Sequence, residues 1–158
     1  MNQFTESHLK SWKSDYILLT QNNRMPINKE HTWMLGNKSG IICIFEDDEI
    51  VYLKNSKSID KTLNEIINVN KNNELIRIML KIELGFSDKK IKQKIISNAN
   101  KNKIKRILKR FEFSLISVDI SHSEAVAHAF IIVCDPRYNG RTTDMNEVLD
   151  NIPEKKKA

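Results

Sequence analysis

Apolar and polar positions first form a clear pattern at Gly40 to Glu46, Gly-Ile-Ile-Cys-Ile-Phe-Glu. The run is short, β-branched and apolar, which predicts a buried strand. Asp47-Asp48 predicts a two-residue turn, and Glu49 to Lys54, Glu-Ile-Val-Tyr-Leu-Lys, the returning strand of a β-hairpin. Downstream the spacing becomes helical. Ser58 is placed to cap a helix whose Ile59, Leu63, Ile66 and Ile67 share one face. After an Asn-rich loop, Asn68 to Asn73, the positions Leu75, Met79 and Ile82 predict a second helix ending near Gly85. Ser87 is placed to cap a third, carrying Ile91, Ile95 and Ile96. A fourth starts near Lys101, with Ile104, Ile107, Leu108 and Phe111 as its stripe. Phe113 to Ile120 reads as a strand, and Ser121 with Glu124 matches a capping box for a last helix through Ala125, Ala129 and Ile132. Pro136 cannot continue that helix, because it lacks an N–H and clashes with the preceding turn.

The ends are less patterned. Trp12, Tyr16, Leu18 and Leu19 predict a short N-terminal helix or arm, broken at Met25-Pro26. The tail from Asn151 to Ala158 ends in three lysines and is expected to fray. The order of elements predicts a small α+β domain, helices flanking a central three-stranded antiparallel or mixed sheet. Residues 1–39 form the arm in this reading, 40–141 the domain and 142–158 the tail.

Composition narrows the class. In 158 residues, 40% are hydrophobic and 29% charged, enough apolar surface for a core. No apolar run approaches the ~20 residues that span a bilayer, and the polar start lacks the form of a signal peptide. Cys43 and Cys134 sit in apolar strings, as buried free thiols of a cytoplasmic protein would. Asn and Lys are abundant, which fits an A/T-rich genome and points to a phage or mobile-element protein. Net charge is +6, unevenly spread. Lys89, Lys90, Lys92, Lys94, Lys101, Lys103, Lys105, Arg106, Lys109 and Arg110 fall within a stretch that holds no acid. These are ten of 26 basic residues, so 16 remain against 20 acids and the rest of the chain carries −4. Such a block is the footprint of a polyanionic partner, DNA or another nucleic acid, with an acidic protein as the alternative.

The last apolar run closes on Pro136-Arg137-Tyr138-Asn139. Together with Gly40-Ile41-Ile42 and Tyr52-Leu53-Lys54, and with the stretch YLKNSKSIDKTL from Tyr52 to Leu63, this order of motifs resembles the GIY-YIG nuclease superfamily. That family's typical second-strand segment is YVGKSKNLKKRL, and its domain often closes on Pro-x-Tyr-Asn. The resemblance covers residues 40–140. It implies a small sheet flanked by helices, and phosphodiester hydrolysis with a Tyr beside the nucleophile, an Arg on the phosphate and a Glu holding one divalent metal such as magnesium.

This sequence departs from the pattern at most of those positions. The first-strand Tyr is Ile42, the second-strand Gly is Lys54, and the Arg is Thr62 with Lys61 beside it. The metal-binding Glu falls near Ala127, nine residues before Pro136, where the chain reads Ala-His-Ala. Only Tyr52 and Asn139 keep the family's identity. An Arg on phosphate and a bound metal each supply several kcal/mol of transition-state stabilisation, so a site without both is slower by orders of magnitude. The resulting expectation is a catalytically degenerate member that binds nucleic acid or regulates a nucleic-acid process, with no cofactor. Two alternatives stand beside it. One is an active metal-dependent endonuclease using Tyr52, Lys54, Lys61, His128 and Glu124. The other is an inhibitor or adaptor module that binds protein. His128 is a poor magnesium ligand, because that ion takes oxygen. Tyr138 is expected to pack on the hairpin, and Asn139 to hydrogen-bond its main chain.

Overall fold

A computed structural model describes residues 4–21, 24–28, 38–93, 95–139 and 145–155, with backbone alone for 145–147. A 3-10 segment, Glu6–Trp12, leads into α1, Lys13–Gln21. Strands β1 (Met25–Pro26), β2 (Gly40–Glu46) and β3 (Glu49–Ser56) follow. Four helices come next: α2 (Ile59–Ile67), α3 (Glu74–Leu84), α4 (Asp88–Gln93) and α5 (Asn98–Leu108). Then come β4 (Phe111–Ser117), α6 (Ile120–Cys134) and α7 (Met145–Asp150). The class is α+β, as expected, but the sheet has four strands in the order β1-β4-β2-β3, all pairs antiparallel. The additional strand is Met25–Pro26, read from the sequence only as a break. It pairs with Phe113 and Glu112 at the sheet edge, where a proline's missing N–H costs no ladder bond.

Strand β2 is central, and its alternation divides the protein into two cores. Ile42 and Ile44 face one core with Tyr52, α2–α5 and Phe111 and Phe113 of β4. Ile41, Cys43 and Phe45 face the other, with Leu53, the N-terminal helices, α6 and Leu149 and Ile152 near the C-terminus. Gly40 is required sterically. It pairs with both Ser56 and Ser117, and a Cβ there would sit 2.1 Å from the carbonyl oxygen of Ile116. Any side chain would force β2 and β4 apart.

Several local expectations are corrected. Ile82 is 60% exposed, and α3 buries Ile76 and Leu80 alongside Leu75 and Met79. Phe111 lies on β4, which spans Phe111–Ser117 and not 113–120, and α5 begins at Asn98 behind a Ser97 cap. Ile95 follows α4 and is exposed, while Ile96 turns inward. The cap of α6 is Asp119, whose carboxylate accepts from the Ser121 N–H at 3.4 Å, so Ser121 lies inside the helix and Glu124 is exposed. The described part of the tail does not fray. The Trp12 indole donates to the Pro153 carbonyl at 2.6 Å, and Lys155 pairs with Asp15 at 2.7 Å. The N-terminal arm is core material, with Phe4, Leu9, Trp12, Tyr16 and Leu19 all buried.

Candidate nucleic-acid interface

The motif residues gather at β3. Tyr52 and Lys54 are two apart and point to the same face, and both meet Glu74, the first residue of α3. The Tyr52 hydroxyl donates to Glu74 Oε1 at 3.3 Å, and Lys54 Nζ lies 3.2 Å from Oε2. Tyr52 is 3% exposed. Burial, reinforced by the Glu74 carboxylate, pushes its pKa above the usual tyrosine range, so at neutral pH its proton stays on oxygen. Thr62, at the Arg position of the resemblance, shares a 2.7 Å hydrogen bond with Ser56 and ties α2 to the end of β3. Lys61 is exposed on α2. His128 and Glu124 do not join this group, because α6 packs on the opposite face of the sheet.

The divalent metal that the resemblance implies does not fit these residues. Both oxygens of Glu74 are already engaged, one by a lysine ammonium, and the expected alternative ligands lie across the sheet. Among the described residues no group of three or more His, Cys, Asp or Glu side chains is placed to hold a metal ion. The sequence reading missed Glu74 and its neighbour Arg77. The available signal was Asn73-Glu74, a helix start, since Asn73 caps α3 through the Ile76 N–H at 3.2 Å. Lys71, Glu74, Arg77, Lys81 and Lys92 line a cavity of about 530 Å³ between α3 and α4. Its cations are partly committed, Lys71 to the carbonyl of Ile91 and Lys81 to Asp88.

The closing motif wraps the free edge of β3. Asp135, at φ 48°, ends α6 on one face, and the chain turns around the edge. The Tyr138 N–H donates to the Val51 carbonyl at 2.9 Å. Asn139 then acts as a surrogate strand. Its Oδ1 accepts from the Leu53 N–H and its Nδ2 donates to the Leu53 carbonyl, both at 2.9 Å. Edge strands expose such groups to stray pairing, and this loop covers them. The register shift between Ile44 and Phe45, where Tyr52 and Ile50 are the successive partners, leaves Val51 as the bulged residue that receives Tyr138. The Tyr138 ring enters the first core near Phe111, and its hydroxyl donates to Glu83 at 2.7 Å. Pro136 is buried, and Arg137 pairs with Glu46 at 3.3 Å and Glu49 at 3.5 Å. Gly140, assigned to the same turn from the sequence, lies outside the described residues.

The basic residues sit on α4, α5 and the turn after α5. Ile104 and Leu108 face the core. Lys101, Lys105 and Lys109 follow one another at i, i+4, the half-buried Lys101 in line with that stripe and the exposed Lys105 and Lys109 progressively off it, and Lys103 and Arg106 are exposed elsewhere on the helix. The row flanks two shallow hollows, one with Ile27, Ile67 and Leu108, the other with Asn68, Asn70, Lys71, Ile95 and Ile96. On α4, Lys89, Lys90 and Lys92 are exposed, Lys90 lying 4.0 Å over the Phe86 ring. Lys94 lies outside the described residues. Arg110 differs from the rest, being held 3.5 Å from Glu46.

All three tyrosines, Tyr16, Tyr52 and Tyr138, are buried, and desolvation raises each pKa, that of Tyr138 to about 12. A free tyrosine titrates near pH 10, so above that pH the folded state binds more protons than the unfolded one. Stability from these groups is present below about pH 10 and falls as pH rises through the window above it. In an alkaline titration, tyrosinate absorbance is expected to stay low near pH 11, where a free tyrosine is ~90% ionised, and to rise together with loss of circular dichroism. Early ionisation with the dichroism intact would contradict the burial of at least one ring.

No family model matches the chain, and searches of curated proteins and of solved structures each return no match. Among the described residues no helix is long and apolar enough to cross a membrane.

Proposed function

We propose that the protein binds nucleic acid through the basic face of α4 and α5, on a GIY-YIG-like scaffold whose catalytic groups have been replaced. The observation that carries the reading is the stretch from residue 89 to 110, which holds no acid and exposes Lys89, Lys90 and Lys92 on α4 and Lys103, Lys105, Arg106 and Lys109 at α5, with Lys101 half-buried. Favouring the scaffold are the antiparallel pairing of the two motif strands and the return of Pro-Arg-Tyr-Asn onto the second of them. Favouring loss of catalysis are Ile42 and Thr62 at the Tyr and Arg positions, and a Tyr52 hydroxyl held against Glu74 and shut from solvent.

The test is binding of a labelled DNA duplex across a salt series. The logarithm of affinity should fall linearly with the logarithm of salt, with a slope of about −0.9 per phosphate engaged. Absence of binding at low salt, or affinity indifferent to salt, overturns the reading in favour of a protein partner. The same preparation should not cleave single- or double-stranded DNA with magnesium or manganese. Nicking that disappears in Tyr52→Phe would overturn the degenerate assignment and leave an active nuclease.

A further inference from the structure

Ile95 is 93% exposed, the most exposed of the large hydrophobic side chains among the described residues. It does not sit on a loose tip. Ile91 behind it and Ile96 after it are both buried, and Ser97 next in line caps α5 through the Asn100 N–H at 3.2 Å. A buried residue and a helix cap directly after it hold one apolar side chain out into water. The surroundings are cationic and amide-rich. Ile95 shares its hollow with Asn68, Asn70, Lys71 and Lys101, and the lysines of α4 and α5 flank it in sequence.

An exposed aliphatic side chain with Lys71 and Lys101 in the same hollow, set within a stretch of basic residues, complements one kind of surface. Nucleic acid offers phosphates to the lysines and, between stacked bases, an apolar slot for the side chain. Proteins that insert Ile, Leu, Met or Phe between base steps partly unstack them and kink the duplex. We propose that Ile95 is such a wedge, entering a base step of DNA whose backbone is held by Lys101 and its row. The proposal rests on the nucleic-acid reading above and adds to it a deformation of the bound duplex.

The experiment uses the full chain and a duplex much shorter than the roughly 150-base-pair persistence length, so that the free DNA is straight. Fluorophores at its ends report bending, and 2-aminopurine at several steps reports unstacking. Wild-type protein should shorten the end-to-end distance and raise the 2-aminopurine signal. Ile95→Ala should do neither and should bind about tenfold more weakly, the scale set by one aliphatic side chain left unburied. Ile95→Met should retain both signals. Because Ile95 is exposed, these variants are expected to melt like the wild type. If wild-type protein binds without bending or unstacking, or if Ile95→Ala keeps both effects, the wedge is wrong while DNA binding stands. If wild-type protein does not bind at low salt, the underlying reading fails as well.

Discussion

Tyr138→Ala is expected to destabilise the protein by about 3–5 kcal/mol, the range for removing a large aromatic ring from a core. The ring is 2% exposed and packs in the core of α2–α5 near Phe111. The residue's backbone N–H, which Ala keeps, donates to Val51, and the ring hydroxyl donates to Glu83. Truncation therefore leaves a cavity and loosens the clasp on the edge of β3. Tyr138→Phe separates the two parts, because it keeps the ring and removes only the hydroxyl. It should cost about 1 kcal/mol, the net value of one hydrogen bond. Urea unfolding followed by circular dichroism measures both variants. A Tyr138→Ala protein that unfolds at the wild-type midpoint would show that the closing motif does not hold the sheet.

That clasp was legible in the sequence because a proline after a helix forces the chain outward, and because Pro-Arg-Tyr-Asn resembles a motif that closes a domain. The hairpin was legible for a similar reason, a dense apolar run, a two-residue turn and a second run. Strand β1 was not. Two residues, one a proline, carry no alternation, and only their pairing to Phe113 and Glu112 makes them a strand. Helix α3 has apolar residues on more than one face, so helical spacing alone could not choose between Ile82 and the pair Ile76 and Leu80. The N-terminal segment hides its pattern differently. Lys10, at φ 54°, breaks the helix, and the buried positions on either side of it lose a common period.

The candidate site divides along the same line. That Tyr52 and Lys54 share a face follows from the period of a strand. That both meet Glu74 depends on how α3 packs against β3, across a separation in sequence that local pattern does not bridge. Placing His128 and Glu124 beside Tyr52 relied on chain order, and α6 crosses the other face of the sheet. The basic block was visible as composition. Which of its cations are free was not, since Arg110 is drawn to Glu46 by a strand end far away in sequence.

Reversing Lys101, Lys105 and Lys109 to Glu is expected to lower DNA affinity roughly a hundredfold near 0.15 M salt. Each engaged phosphate releases counterions and contributes a slope of about 0.9, so three lost contacts amount to about two decades at that salt, and repulsion by the new carboxylates adds to the loss. The log–log slope should flatten by about 2.7. The fold should survive, because Ile104 and Leu108 carry the packing of α5, Lys105 and Lys109 are exposed, and the half-buried Lys101 stands near the helix N-terminus, where a carboxylate suits the helix dipole. Reversal of Arg110 would be a poorer test, since it also removes the ion pair with Glu46 and sets two carboxylates together. Lys57 and Lys61, both exposed, supply the control. Lys57 lies in the bend before α2 and Lys61 in its first turn, outside the basic stretch, and their reversal should change affinity less than tenfold, a change of about one contact. If the α5 triple variant binds with the wild-type slope while the α2 pair abolishes binding, the partner engages the surface around the start of α2, and the face of α4 and α5 is a solvated surface.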